Sequence, residues 1–344
     1  MFSNRLRSFR FFSLTLLLCT LIGTVPSSTH GDKHGETLTL YSGRSKGLVE
    51  PIIKQFEKES GITVKVNYGK TTQLAAALLT EGDKSPADLF WAQDAGALGA
   101  VSKKAMFEKL SDTTLARVPA GFRDAAGFWV ATSGRARVLA YSPERVKMEA
   151  LPESIFALTD PMWKGRVGWA PTNSSFQAFV TALRVQIGNE RTEAWLRDMK
   201  ANGVKTYPKN TPIIEALAAG EIDLGLPNHY YLLRFKKGDA GFPVAQTFFK
   251  ASDPGNLVNV AGIGVLKSSA KRAAAVKFVD FLLSAKAQQY FTSDVFEYPV
   301  IEGVIPNANL VPLAELMKLV PIFNLNDMDD LTGTVELLQR ADIL

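Results

Sequence analysis

Apolar positions along this 344-residue chain alternate between strand-like runs and helical stripes. Thr37-Leu38-Thr39-Leu40-Tyr41 reads as a buried strand, and Ser42-Gly43-Arg44-Ser45 as the turn after it. Leu48 or Val49, Ile52, Ile53 and Phe56 then recur at helical spacing, with Pro51 near the first turn and Gly61 as C-cap. Residues 62–66 alternate as a strand, Leu74, Ala75, Leu78 and Leu79 share a helix face, and residues 87–91 form another short strand before a third helix. From Trp129 the rhythm restarts. Strands are expected at residues 138–141, 165–169, 224–226 and 258–266. Helices are expected at residues 176–187, around Trp195, Leu196 and Met199, around Ile213, Ile214 and Leu217, and around Val276, Phe278, Val279 and Leu282.

Strand–helix alternation of this kind gives an α/β fold with largely parallel sheets, and ligands in such sheets bind at the turns beyond the strands' carboxyl ends. The turns 42–45 and 92–94 are therefore the first places to look for a site. Residues 1–30 stand apart. Arg5, Arg7 and Arg10 precede an apolar run over residues 11–22 and then small residues, the order of a secretory signal peptide, with cleavage expected between Ser27 and Gly31. The roughly 310 residues left exceed what one hydrophobic core usually holds, so two lobes are expected.

Cys19 is the single cysteine and lies inside the leader's apolar run. Leu18 is bulky where lipid attachment wants a small residue, so tethering there is disfavoured. The exported chain then has no thiol for disulfides, thiolate catalysis or cysteine metal sites. Without the three leader arginines, 36 basic residues face 34 acidic ones, and their scatter gives no nucleic-acid footprint. Of three histidines, His30 and His34 lie in or beside the leader, leaving His229 as the one imidazole for the body. No nucleophile-elbow serine or phosphate-loop glycine pattern occurs, so the enzyme reading has no chemistry to stand on.

Two features carry candidate binding chemistry. Asn173-Ser174-Ser175 before a helical run is an N-cap cluster; it either caps only, or also presents free N–H groups and the helix dipole to an anion. Asn210 is a second polar contact or a turn residue. Tyr230-Tyr231 admits three geometries: opposite faces of a strand, a divergence of roughly 100° on a helix, or an irregular strand-to-helix corner aiming both phenols into a cleft. Ionising two phenols at pH 7 costs roughly 8 kcal/mol, which a hard trivalent cation such as Fe³⁺ offsets.

With these residues assembled, the chain resembles the periplasmic ferric-iron-binding proteins, the bacterial transferrins of iron ABC transporters. The resemblance runs from about Thr37 to the C-terminal region, on Leu-Tyr-Ser-Gly-Arg-Ser (40–45), Glu-Gly-Asp-Lys-Ser-Pro-Ala-Asp (81–88), Ser-Gly-Arg-Ala-Arg-Val (133–138), Trp-Lys-Gly-Arg-Val-Gly (163–168) and Asn-His-Tyr-Tyr (228–231). It implies a two-lobed periplasmic-binding-protein fold of type II, each lobe a mixed sheet flanked by helices. Hinge crossovers are implied near residues 131–135 and 253–260. The lobes would be residues 31–132 with 260–312, and 133–259 with 313–344. It further implies Fe³⁺ held by Tyr230 and Tyr231. A synergistic anion, phosphate or carbonate, would lie at Asn173, Ser174, Ser175, Asn210, Asn228, Arg135 and Arg137, one of the arginines alternatively bracing the hinge. Partners would be an ABC permease and its ATPase, in the periplasm, with a monomeric carrier and no nucleic acid.

The departures define what is unusual. Ser45 stands where many members have histidine, Gln93 where the family has glutamate, and Phe176 where some members have a third tyrosine. Ser45 and Gln93 are thus expected only as neutral cleft contacts, with water or a chelator filling open positions on iron. Two other readings compete: the same fold binding an organic anion (phosphonate, phosphate ester) or another solute such as a polyamine or thiamine, and a hydrolase dependent on His229.

Overall fold

A computed structural model of the protein describes residues 36–344; the leader, Cys19, His30 and His34 lie outside the described residues. Ten strands are described: β1 (Thr37–Ser42), β2 (Thr63–Tyr68), β3 (Leu89–Ala92), β4 (Val130–Ala136), β5 (Leu139–Tyr141), β6 (Val167–Trp169), β7 (Lys205–Thr206), β8 (Leu224–Gly225), β9 (Ala245–Thr247) and β10 (Val258–Val265). They form two five-stranded sheets, ordered β2-β1-β3-β10-β4 and β7-β6-β8-β5-β9. Both follow one plan. Three parallel strands (β2, β1, β3; β7, β6, β8) are followed by a reversed strand, β10 or β5, which pairs antiparallel on both sides.

Helices fill the connections: α1 (Lys46–Ser60), α2 (Thr71–Glu81), α3 (Ala95–Lys103), the single turn α4 (Asp112–Leu115), α5 (Ser174–Ile187), α6 (Asn189–Ala201), α7 (Asn210–Ala219), α8 (His229–Gly238), α9 (Arg272–Leu282), α10 (Ala285–Ser293), α11 (Leu313–Leu319) and α12 (Leu331–Arg340). The helical stripe read from the sequence is the face α1 buries: Leu48, Val49, Ile52, Ile53 and Phe56. Phe56 meets Phe278 of α9 edge-on, ring centroids 4.9 Å apart. Gly61 ends α1 at φ 72°, a left-handed cap that costs glycine no Cβ clash. Among the described residues no helix is long and apolar enough to cross a membrane.

The chain passes from the first sheet to the second where β4 runs into β5, and returns where β9 leads to β10. At this junction Arg137 N–H donates to Leu257 O at 2.8 Å on the returning chain and Val138 N–H to Pro227 O at 3.1 Å after β8, so the outgoing passage stays hydrogen-bonded through the crossing. A third passage brings α12 onto α5 and α6, fastened by Arg184 to Asp330 (2.7 Å) and Thr181 to Thr334 (2.7 Å).

β4 and β10 are buried along their whole length, and the register shifts once, between Ala261 and Gly262. A Cβ on Gly262 would sit 2.7 Å from Leu98 Cδ1 and 2.8 Å from the Val130 carbonyl oxygen, which is backbone and cannot swing aside. Gly262→Ala is therefore expected to destabilise the fold by about 1–3 kcal/mol, read as a lowered urea midpoint; an unchanged midpoint would show that the bulge yields freely.

Candidate functional site

The turn after β1 is built around a glycine with no room for a side chain. A Cβ on Gly43 would fall 1.9 Å from Thr71 Oγ1. Its N–H donates to Trp91 O at 2.8 Å, and its carbonyl accepts from Gln93 Nε2 at 2.6 Å, so the two turns singled out from sequence are tied to each other. Ser45 follows as N-cap of α1 without a side-chain cap bond. Between them Arg44 is buried, 1 % exposed, and its Nη2 donates to both carboxylate oxygens of Glu297 at 2.7 and 2.8 Å. Ser133 Oγ donates to the same carboxylate at 2.5 Å.

Across the cleft, Asn173 caps α5: its Oδ1 accepts from Ser175 N–H at 2.9 Å and Ser175 Oγ at 2.7 Å. The capping reading thus describes what that oxygen does. Ser174 Oγ accepts from Thr72 N–H at 3.5 Å, a contact joining the N-termini of α5 and α2. Asn210 is the first residue of α7, not a turn residue; it is buried, and its Nδ2 approaches Ser175 Oγ at 3.4 Å. Its Oδ1 is buried without a partner.

Tyr230 and Tyr231 lie in the first turn of α8, so neither the strand geometry nor the irregular corner applies. A helix step separates their Cβ directions by roughly 100°, yet the rings stack, with centroids 4.4 Å apart and planes at 29°. Long side chains close the angle that the backbone opens. Tyr230 is 1 % exposed; Tyr231 is half-buried and lines the cleft. Burial pushes the Tyr231 phenol well above its usual value, the neighbouring Tyr230 adds to this, and Asn210 and Arg135 act in the opposite direction.

The two arginines expected at the anion divide their work. Arg137 donates to the carbonyls of Leu226 (2.7 Å) and Ser175 (2.5 Å), bracing the junction. Burial, then the charge of Arg135, depress its pKa to about 9, against the attraction of Tyr230 and Tyr231. Arg135 instead keeps Nε and Nη1 buried and without partners. It meets Arg137, Ser175, Asn228 and Asn259 around a water-sized hollow of about 10 Å³. Asn228 is N-cap of α8 and makes no side-chain cap bond. Phe176, at the third-tyrosine position, is fully buried against Trp169 at 5.3 Å.

The larger cavity, about 380 Å³, collects Ser45, Gln93, Asn173, Ser174 and Tyr231 in its wall. Among the described residues four basic ones line it, Arg44, Lys70, Lys209 and Arg234, and no carboxylate does. Among the described residues no group of three or more His, Cys, Asp and Glu is placed to hold a metal. Phenol oxygens and amides, in a positive field, are what the cleft offers. Sequence reading missed Arg44, although the turn was marked; its partner Glu297 is 253 residues away and nothing local announces it.

Comparison with known proteins agrees with this architecture. Residues 84–328 match the family model described as bacterial extracellular solute-binding protein. The major ferric iron-binding protein of Neisseria meningitidis is 36 % identical over 286 residues, covering 81 % of this chain and 85 % of that one. The Fe(3+)-binding periplasmic protein of Serratia marcescens is 34 % identical over 282 residues, covering 81 % and 83 %. Among solved structures, iron-bound HitA from Pseudomonas aeruginosa superposes with a TM-score of 0.84 at 35 % identity, covering 89 % of this chain and 99 % of that one.

His229, beside the phenols, is wired as a neutral imidazole. Its Nδ1 accepts from Ala136 N–H at 3.0 Å and its Nε2 donates to Phe296 O at 2.7 Å. Burial lowers its pKa to about 4. Because the unfolded chain, with pKa near 6.5, takes up the proton first, the stability His229 contributes is complete above that value and is lost as pH falls toward 4. Urea denaturation of metal-free protein at about pH 7.5 and about pH 4.5 should show a loss of about 2–3 kcal/mol that His229→Gln lacks. Equal losses in both proteins would remove His229 from the account.

Proposed function

We propose that this chain, which belongs to the bacterial extracellular solute-binding proteins, captures ferric iron in the periplasm and delivers it to an ABC permease and its ATPase. The observation that carries the reading is the stacked phenol pair, of which Tyr231 lines a cleft whose other described lining residues are basic or neutral and include no carboxylate. Two phenolates at neutral pH require roughly 8 kcal/mol, and more where burial raises a phenol further. Fe³⁺, a hard trivalent cation with oxygen preference, offsets that. Relatives named for ferric iron and for the periplasm support the cargo and the compartment.

In this reading Tyr230 and Tyr231 bind the metal. Phosphate or carbonate sits against the unpartnered edge of Arg135, with Asn173, Ser174, Ser175, Asn210 and Asn228 around it, while Arg137 braces. The lobes of this reading are residues 31–132 with 260–312 and 133–259 with 313–344, boundaries that fall inside β4 and β10, a few residues from the passages between the sheets. The carrier is monomeric and does no catalysis: His229 spends both ring nitrogens on backbone groups. Transfer to the permease follows closure, which ligand favours only through contacts absent when the cleft is open.

The cationic lining also suits an organic anion without metal, and one experiment separates the two. Metal-free mature protein given Fe³⁺ with phosphate should develop a visible tyrosinate-to-iron charge-transfer band. Tyr230→Phe should abolish it, and Tyr231→Phe should weaken iron binding by more than about 100-fold. A protein that stays colourless, yet takes up a phosphate ester or phosphonate in calorimetry, would assign the cleft to the organic anion instead.

A further inference from the structure

Arg44 does more than bury a charge. Its Nη2 is saturated by Glu297, while Nε and Nη1 are shielded from solvent and have no partner among the described residues. A guanidinium carries five N–H donors, and leaving any of them buried and unmet is unfavourable. The residue shares the wall of the 380 Å³ cavity with Ser45, Gln93, Asn173 and Tyr231. Glu297 cannot turn away to let Arg44 go, because Ser133 Oγ holds the same carboxylate.

We infer that Arg44 is an oxyanion contact of the cleft, held in place by Glu297, that binds an oxygen-bearing anion carried in with the metal, either a carboxylate of a chelating acid or inorganic phosphate. This rests on the ferric-iron reading above. Its logic is in the wall around it. Ser45 and Gln93 are neutral, so this side of the cleft gives iron no charged ligand, and the cargo brings its own oxygen donors. Anionic donors meeting this wall meet a fixed cation with free N–H groups. Arg44 and Arg135 then act on separate edges of the cargo. Burial works against the Arg44 charge, and Glu297, with smaller help from both tyrosines, more than restores it, so the cation persists at working pH.

The test compares wild type, Arg44→Lys, and the double variant Arg44→Gln with Glu297→Gln, which leaves no unpaired buried charge. Each mature protein, stripped of metal, is given fixed Fe³⁺ and titrated separately with citrate and with phosphate, reading the charge-transfer band. For the anion that Arg44 holds, the double variant should need at least about tenfold more to reach half-maximal colour, with its apo melting temperature near wild type. Arg44→Lys, which keeps the pair with Glu297 and is read alone if the double variant does not fold, should need about threefold more or greater. A shift with citrate only identifies a chelate carboxylate; a shift with phosphate only identifies the inorganic anion. Unchanged requirements for both anions overturn the inference. So does a folded double variant that stays colourless at saturating citrate and phosphate alike, since Arg44 would then serve the phenols. A wild type without the band defeats the ferric reading itself, and this inference with it, whereas a normal wild type with unaffected variants defeats only the role of Arg44.

Discussion

The antiparallel pairing of β4 with β10 is the constraint on which the site depends. Both strands are fully buried, and both continue into the passages between the two sheets. Arg135 leaves β4 toward the small hollow and Asn259 leaves β10 into the same hollow. Asn259 Oδ1 accepts from Ala95 N–H at 3.2 Å, tying the start of α3 to this ladder. Ser133, two residues before Arg135, holds the carboxylate that holds Arg44. Ala136 donates to His229, whose helix carries both phenols. One ladder therefore sets the positions of groups drawn from both sheets, and a side chain that opened it at Gly262 would disturb them together.

The elements were largely legible because each shows a buried stripe, an apolar run or a cap. The stripe of α1, the cap at Gly61, the largely apolar β10 and the helix after Asn173 follow from periodicity and capping chemistry. The site was legible only in part. Tyr230-Tyr231 stood out as a pair, but their stacking depends on side-chain torsions that spacing does not encode. Arg137 and Arg135 are two residues apart on adjoining strand positions and look equivalent in sequence. They differ because carbonyls of Leu226 and Ser175, which arrive from the segment after β8 and from α5, reach one guanidinium and not the other. Arg44 stayed hidden for the same reason: its meaning lies in Glu297, brought close only by the fold.

A buried Arg–Glu pair is weak evidence for stability, since the desolvation of two ions can exceed their attraction. Arg44 and Glu297 fit better as a positioning device. Because each is almost fully buried, neither can relax into solvent, and Ser133 removes the remaining freedom of the carboxylate. The result is a guanidinium with one end fixed and the rest available, which is the form a binding group takes when its orientation has been settled before the ligand arrives.

The same preorganisation sets the electrical character of the cleft. Burial and Arg135 hold the pKa of Arg137 down to about 9, while burial and Tyr230 hold the Tyr231 phenol up. Each group is strained toward its neutral form, and each would be relieved by the other's charge. The attraction that raises Arg137 when a tyrosine ionises is the same energy that lowers the tyrosine's pKa beside Arg137; the coupling is reciprocal. In the proposed reading, a cation held by the phenol oxygens would draw off their protons and so steady the arginines, and an anion on the arginines would offset the positive charge the metal adds. Metal and anion would thus be favoured together over either alone, which is the electrostatic basis for expecting synergy in a cleft to which the described residues contribute no carboxylate.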